Sequence, residues 1–203
     1  MNKTIKLLMI SDMFVTTGFG LIEPILAIFI KENLIGGTVF TASLASTIFL
    51  FSKSLVQLPF SRYIDKEKDK VRWLIFGMIL VSIVPFIYIY SNHIKMIYLA
   101  QVLYGVGAGF AYPTWLGLWS INLDKKKESY EWSLYSTIVG LGTAAAAAIG
   151  GAIAQFIGFA YTFMFVGIMS FIGCFILLDL EKKRIKKDGI TMSDYFQKKK
   201  ITD

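Results

Sequence analysis

Little in this chain could carry covalent chemistry. Its 203 residues include one cysteine and one histidine. A lone Cys174 in an apolar run excludes a disulfide framework and a cysteine metal cluster, and reads as a small packing residue. His93 lies between two apolar runs, and no Ser–His, Cys–His or metal-ligand set can be assembled around it. A Gly-Lys-Ser/Thr phosphate loop is missing, which argues against ATP-driven work. Neither an enzymatic activity nor a cofactor or metal is expected. Charge is sparse as well, at 17% of residues.

What fills the chain instead is apolar. Hydrophobic residues make up 55% and aromatics 15%, and the mean hydropathy is +0.59. Ordinary soluble domains average about 45–50% apolar with glycine included. A net charge of +7 could suggest nucleic acid. With this hydropathy it points instead to a membrane protein whose basic loops face anionic lipid, so the bilayer and not nucleic acid is the expected partner. Six apolar segments stand out: residues 5–30, 39–60, 73–90, 96–121, 132–156 and 159–178. Each is near the ~20 residues that cross ~30 Å of hydrocarbon. The first is too long for the core of a cleavable signal peptide and lacks a cleavage site after it. The expected architecture is an all-α membrane protein with a six-helix bundle over residues 1–180 and a basic tail over residues 181–203.

The loop from Gln57 to Arg72 sets the orientation. It carries Arg62, Lys66, Lys68, Lys70 and Arg72, interleaved with Asp65, Glu67 and Asp69. Short loops this basic belong on the cytoplasmic side. The same side then receives Lys3, Lys6, Lys125–Lys127 and the lysines and arginine of the tail, whereas the other side receives only Lys31 and Lys95. Both termini are thus expected in the cytoplasm, with the protein multi-pass in the cell membrane. Tail residues Asp188-Gly189 read as a turn, and Thr191 to Asp194 as the cap of a short helix carrying Tyr195 and Phe196.

A repeat lies inside the chain. Helix 1 reads Gly18-x-Gly20-x-x-x-Pro24, and helix 4 reads Gly107-x-Gly109-x-x-x-Pro113. In this register Asp12 matches Gln101 and Glu23 matches Tyr112. Helix 1 runs outward and helix 4 inward, so the two three-helix halves form an inverted three-plus-three repeat of the kind found in secondary transporters.

Ionisable groups inside the bilayer cost about 2.5–3.5 kcal/mol each at a helix centre, so each needs a reason. Glu23 sits beside Pro24, where the backbone can bend, and a carboxyl group there suits proton uptake and release. Asp12 lies eleven residues earlier, about 20° off the same face and about 16 Å along the axis. Lys53 lies on helix 2 at a depth similar to Asp12, within a polar stripe of Ser43, Thr47, Ser54, Gln57 and Ser61. It could pair with Asp12 or snorkel to the headgroups. Gln101, Tyr104, Tyr112 and Trp115 on helix 4, with Thr16 and Thr17 on helix 1 and Tyr135 and Gln155 on helix 5, are candidates to line a substrate cavity. Helix 5 presents Gly142, Ala146, Gly150 and Ala154 at four-residue spacing, a small-residue face that lets another helix approach closely, with Gly151 beside it.

Together these features resemble one six-helix half of a major facilitator superfamily transporter, over residues 5 to about 185. The family's Gly-x-x-x-Asp-Arg/Lys loop motif is met at Asp65 and Lys66, with Ser61 at the first glycine and Arg72 ending a displaced basic group. Gly105, Gly107 and Ala108 match the helix 4 motif, although Gln101 stands at its arginine. Gly142, Gly150 and Gly151 match the helix 5 motif of drug/proton antiporters, although Ala146 and Ala147 replace its Gly-Pro. The run from Gly18 to Pro24 is similar to helix 1 of the same antiporters. The resemblance implies a proton-coupled secondary transporter of a small molecule, working by alternating access. Family members normally have twelve helices, so two copies of this chain are expected to pair in parallel as a homodimer. Helix 5 would then meet helix 2 of the neighbouring subunit, and Asp65, Lys66 and Arg72 would form part of a cytoplasmic switch. The residues leave open a non-transporting membrane subunit, or one half of a heterodimeric transporter. They also leave open a fragment of a longer protein, while the polar ending Lys-Ile-Thr-Asp, with no seventh apolar run, reads as a natural end.

Overall fold

A computed structural model describes residues 1–187, with side chains described through Lys182. Among these residues there are no strands, and six helices are long and apolar enough to cross a membrane. They are α1 (Lys3–Asn33), α2 (Val39–Ile64), α3 (Lys70–Ile89), α4 (Ile94–Asn122), α5 (Glu128–Phe156) and α6 (Phe159–Lys187). α3 ends at Ile89 with Tyr90 as its C-cap, while most of the helices run on into polar flanks. The tail is the clearest case: α6 continues past Leu178 to Lys187, with Glu181 buried. The tail turn and cap at residues 188–196 lie outside the described residues.

Local chemistry starts and stops the helices. Asn2 caps α1 by accepting the Thr4 N–H, and Thr38 and Thr41 close a reciprocal capping box on α2. The His93 ring accepts the Lys95 N–H at the start of α4. Pro24, Pro59, Pro85 and Pro113 lie within α1 to α4, as transmembrane helices tolerate where neighbours satisfy the freed backbone. The α5–α6 connection is almost loopless. Gly158 adopts φ +122° there, and its N–H bonds the Ile153 carbonyl at 2.9 Å.

Packing follows a simple scheme. α1 lies against α5 and α6, α4 lies against α2 and α3, and α3 and α6 lie against each other. Close approach is made by glycines. A Cβ on Gly105 would stand 2.6 Å from the Phe49 carbonyl oxygen of α2, and one on Gly77 would stand 2.7 Å from the Ala111 nitrogen of α4. Between α3 and α6, Ser82 and Cys174 share a hydrogen bond of 3.4 Å, and the Ser11 hydroxyl donates to the Gly173 carbonyl at 2.8 Å to tie α1 to α6. Burial is uneven. Only 11% of the spans of α2 and α5 is buried, against 44–50% in the other four. Leu50, Phe51, Leu55 and Leu58 of α2, with Leu141, Ile149 and Phe156 of α5, stand exposed.

The small-residue face of α5 corrects an expectation. A Cβ on Gly150 would collide with the Leu21 carbonyl of α1, and one on Gly142 would meet the Thr17 hydroxyl at 2.7 Å. Ala146 and Ala154 on the same face are buried. This face packs against α1 of its own chain rather than helix 2 of a neighbour. Spacing identifies a face that can approach a helix but not which helix fills it. Gly151, one residue round, lies outside the contact: a Cβ there would have nothing within 4 Å.

Candidate functional site

α1, α2, α4 and α5, with Met78 and Val81 of α3, enclose a cavity of about 280 Å³. Its α1 wall is Asp12, Val15, Thr16, Phe19 and Glu23, one face at helical spacing. Asp12 and Glu23 therefore address the same space. The α4 wall is Tyr104, Ala108, Ala111, Tyr112 and Trp115, while Phe49 and Lys53 come from α2 and Tyr135 from α5.

Two polar constellations hold the cavity in shape. The Tyr135 hydroxyl donates to Asp12 Oδ2 at 2.6 Å, and the Thr16 hydroxyl donates to the same oxygen at 3.1 Å. A part-buried carboxylate oxygen with two hydroxyl donors is a satisfied group. Tyr135 is itself fixed by ring contacts with Trp115 at 4.9 Å and Trp119 at 5.1 Å. Opposite, Lys53 Nζ lies 4.4 Å from the centroid of the Tyr112 ring, within cation–π range. The expected Asp12–Lys53 pair is not formed. Each group has taken an aromatic partner from a helix that spacing could not assign to it.

The aromatic wall is a stack. Tyr104 lies between Phe19 at 4.6 Å and Phe49 at 4.2 Å, with interplanar angles of 18° and 24°. Neither Phe19 nor Phe49 was singled out by sequence. Phe19 falls seven residues from Asp12 on the same helix face, a signal that could have found it; Phe49 carries none.

Three expected cavity residues lie elsewhere. Gln101 is buried, and its amide donates to the Tyr88 hydroxyl of α3 at 3.1 Å. Thr17 points to Gly142 of α5, because a one-residue step turns a helical side chain by about 100° away from its neighbour Thr16. Gln155 is exposed near the end of α5.

The α2–α3 loop forms a compact polar end. The Lys70 ammonium donates to the carbonyls of Ile64 and Asp65. Arg72 donates through Nε to Glu181 of α6 at 3.0 Å and stands 3.6 Å from Asp69. Asp65 and Lys66 are exposed. Glu67 accepts the N–H groups of Lys68 at 2.8 Å and Asp69 at 3.1 Å and the Tyr63 hydroxyl at 3.0 Å. The Asp69 amide, followed by the Tyr63 hydroxyl, holds its carboxyl below the usual range. Among the described residues, no group of three or more His, Cys, Asp or Glu side chains could hold a metal ion.

Comparison with known proteins agrees with this arrangement. A sequence model described as Major Facilitator Superfamily matches residues 8–198. The chain is 26% identical over 186 residues to the quinolone resistance protein NorA of Staphylococcus aureus, in strain Mu50 and likewise in strain N315, covering 90% of this chain and 47% of that protein. It spans about half the length of the curated relatives it matches. Among solved structures, the POT family transporter PepTSo superposes with a TM-score of 0.72 at 15% identity, over 91% of this chain and 38% of that one.

Proposed function

The chain belongs to the major facilitator superfamily, and on that premise we propose that it acts as a six-helix half of a secondary transporter for a small molecule. The observation that carries this reading is the cavity. Its lining includes two acids, Asp12 and Glu23, and one cation, Lys53, among aromatic side chains. Charged groups are retained in a bilayer where they face a ligand or ion path.

The inverted three-plus-three repeat is supported by the packing of its matched glycines. Gly18 faces Val166 and Met169 of α6, and its counterpart Gly107 faces Gly77 and Val81 of α3. Gly20 faces Thr143 of α5, and its counterpart Gly109 faces Val56 of α2. Exchanging α1 with α4, α2 with α5 and α3 with α6 therefore maps the contacts onto each other. Basic residues gathered at the α2–α3 and α4–α5 loops and both ends favour a cytoplasmic placement of the termini in the cell membrane.

The working unit in this reading is a parallel homodimer. Its support is the exposed apolar surface of α2 and α5. Substrate lies between the two cavities, and rocking of one bundle against the other exposes it to alternate sides. Glu23 takes up and releases the coupled proton. Asp12 acts as gate: protonation removes the charge that strengthens its bonds from Tyr135 and Thr16 and loosens α5 from α1. Asp65, with Lys66 and Arg72 beside it, meets the N-terminal end of α5 of the second copy and favours closure at the cytoplasmic face. Because the relatives are named for quinolone resistance, and stacked rings here adjoin both charge signs, a flat aromatic molecule with an amine and a carboxylate is the first substrate to try.

The test is proton flux driven by a quinolone gradient in liposomes, for the wild type and Glu23→Gln. Abolished coupling in the variant is expected, and undiminished coupling would remove Glu23 from the mechanism. A protein that stays strictly monomeric yet transports would overturn the homodimer. Unchanged cysteine accessibility of the cytoplasmic face in Asp65→Asn would return the loop to a topology signal.

A further inference from the structure

The end of the bundle away from the α2–α3 loop holds two turns joined to each other. The α1–α2 turn lies beside the α3–α4 turn, and Ile35 and His93 form a parallel bridge. The Ile35 N–H donates to the Asn92 carbonyl at 3.0 Å, and the Ile94 N–H donates to the Ile35 carbonyl at 3.1 Å. Leu34 and Ile94 are buried at the joint. Gly36 takes φ +80°, and a Cβ there would stand 3.0 Å from Ile94 and 3.8 Å from the His93 ring. The Thr41 hydroxyl fixes the same turn to α2 by donating to the Gly36 carbonyl at 3.1 Å. The joint therefore ties the last turn of α1 to the first turn of α4, the two helices that supply most of the cavity wall.

His93, the chain's one histidine, sits in this bridge and also caps α4. Its Nδ1 accepts the Lys95 N–H at 3.1 Å, which requires a neutral ring with its proton on Nε2. A protonated ring donates from both nitrogens and cannot hold the cap. It also sets a positive charge on a helix N-terminus, where the macrodipole is already positive. The charged groups at this end are Lys31 and Glu32 in the last turn of α1 and Lys95 in the first turn of α4. The first turn of α2 and the last turn of α5 carry none, and the nearby ends of α3 and α6 offer only the phenols of Tyr88, Tyr90 and Tyr161. Among ordinary side chains, the imidazole is the one that changes charge between pH 5 and 8.

We propose that His93 is an acid-released clasp. With a neutral ring, the cap and the bridge hold the α1–α2 turn against the start of α4. Protonation from the side that this end faces removes the cap acceptor, loosens the first turn of α4 and with it the Ile94 N–H, and frees the α1–α2 turn. The pH on one face then sets whether the ends of α1 and α4 can part. Both bonds of the bridge flank His93 directly, so a change at its ring is felt on both turns at once. The clasp stands whether or not the chain transports.

Hydrogen–deuterium exchange of the full chain in detergent, comparing wild type with His93→Asn at the same pH, gives the test. Asparagine keeps a side-chain acceptor at the cap but does not titrate. Taking the ratio at one pH also removes the intrinsic pH dependence of exchange. For residues 34–38 the wild type should match His93→Asn at pH 8 and exchange about fivefold faster at pH 5, which is ~1 kcal/mol, the size of one helix cap. His93→Ala, with no acceptor, should exchange fast at both pH values. The α1–α2 turn is the deciding readout, because a plain cap would alter residues 94–98 alone. Equal rates for wild type and His93→Asn at both pH values, a full difference already at pH 8, or faster exchange confined to residues 94–98 would each overturn the proposal. Slow exchange of residues 34–38 in His93→Ala would overturn it too, because the ring would then hold nothing.

Discussion

The Tyr135 hydroxyl reaches across from α5 to donate to Asp12 Oδ2 of α1 at 2.6 Å. This bond ties a small-residue helix contact to a charged cavity wall. Tyr135→Phe should therefore lower thermal stability by about 1–2 kcal/mol, the order of one hydrogen bond to a charged group, with Thr16 left as the other donor to the same oxygen. In a double-mutant cycle with Asp12→Asn, measured by thermal unfolding in detergent, the two losses should be strongly non-additive. Additive losses would show that the bond contributes nothing.

The glycines of α5 make a sharper pair. Gly150→Ala drives a methyl group into the Leu21 backbone, and backbone cannot move aside as a side chain can. A loss of about 2 kcal/mol or more is expected, in line with overpacking of a tight core. Gly151→Ala, one residue along in open space, should be neutral or stabilising by up to about 1 kcal/mol through helix propensity. Melting temperatures of the two variants side by side decide the matter.

Arg72 and Glu181 join the start of α3 to the far end of α6 at 3.0 Å. The pair is only partly buried, so its coupling should be about 1 kcal/mol or less and should fall as salt rises. A double-mutant cycle on Arg72→Ala and Glu181→Ala at low and high salt checks both statements. A coupling insensitive to salt would mean the contact is not chiefly electrostatic.

Acid should loosen the α2–α3 loop. The folded-state acidity of Glu67 is strengthened by the Asp69 amide first and the Tyr63 hydroxyl second. A depressed carboxyl stabilises the fold above its unfolded value, and that contribution is lost as pH falls through the depressed one. Protease cleavage within residues 65–69 should thus be slow at neutral pH and accelerate below about pH 4. In Glu67→Gln the rate should start higher and change less over that range. Parallel pH profiles for the two proteins would exclude Glu67 as the cause.

Lys53→Met removes the cation held over the Tyr112 ring. Exposed cation–π pairs contribute about 0.5–1 kcal/mol, while burying a charge in a bilayer costs more. The variant should be as stable as the wild type or more so in thermal unfolding, yet bind anionic aromatic ligands less tightly in the cavity. Marked destabilisation would instead make Lys53 a structural element of the α2–α4 contact.

What the residues alone determined is whatever depends on a single helix. Hydropathy along the chain marks six spans because crossing hydrocarbon is a matter of length and polarity. The face shared by Asp12, Thr16 and Glu23 follows from helical pitch, as does the stripe from Tyr104 to Trp115. What only the tertiary structure decided is everything that depends on how neighbouring helices are rotated and spaced. Sequence spacing could show that Gly142 and Gly150 admit a close partner, but the partner is α1. It placed Gln101 on a polar position, but Tyr88 from α3 claims its amide. It offered Asp12 and Lys53 to each other, but Tyr135 and Tyr112 stand nearer. Pitch fixes where a side chain points on its own helix; the partner it meets depends on how several helices pack together, and no one of them encodes that alone.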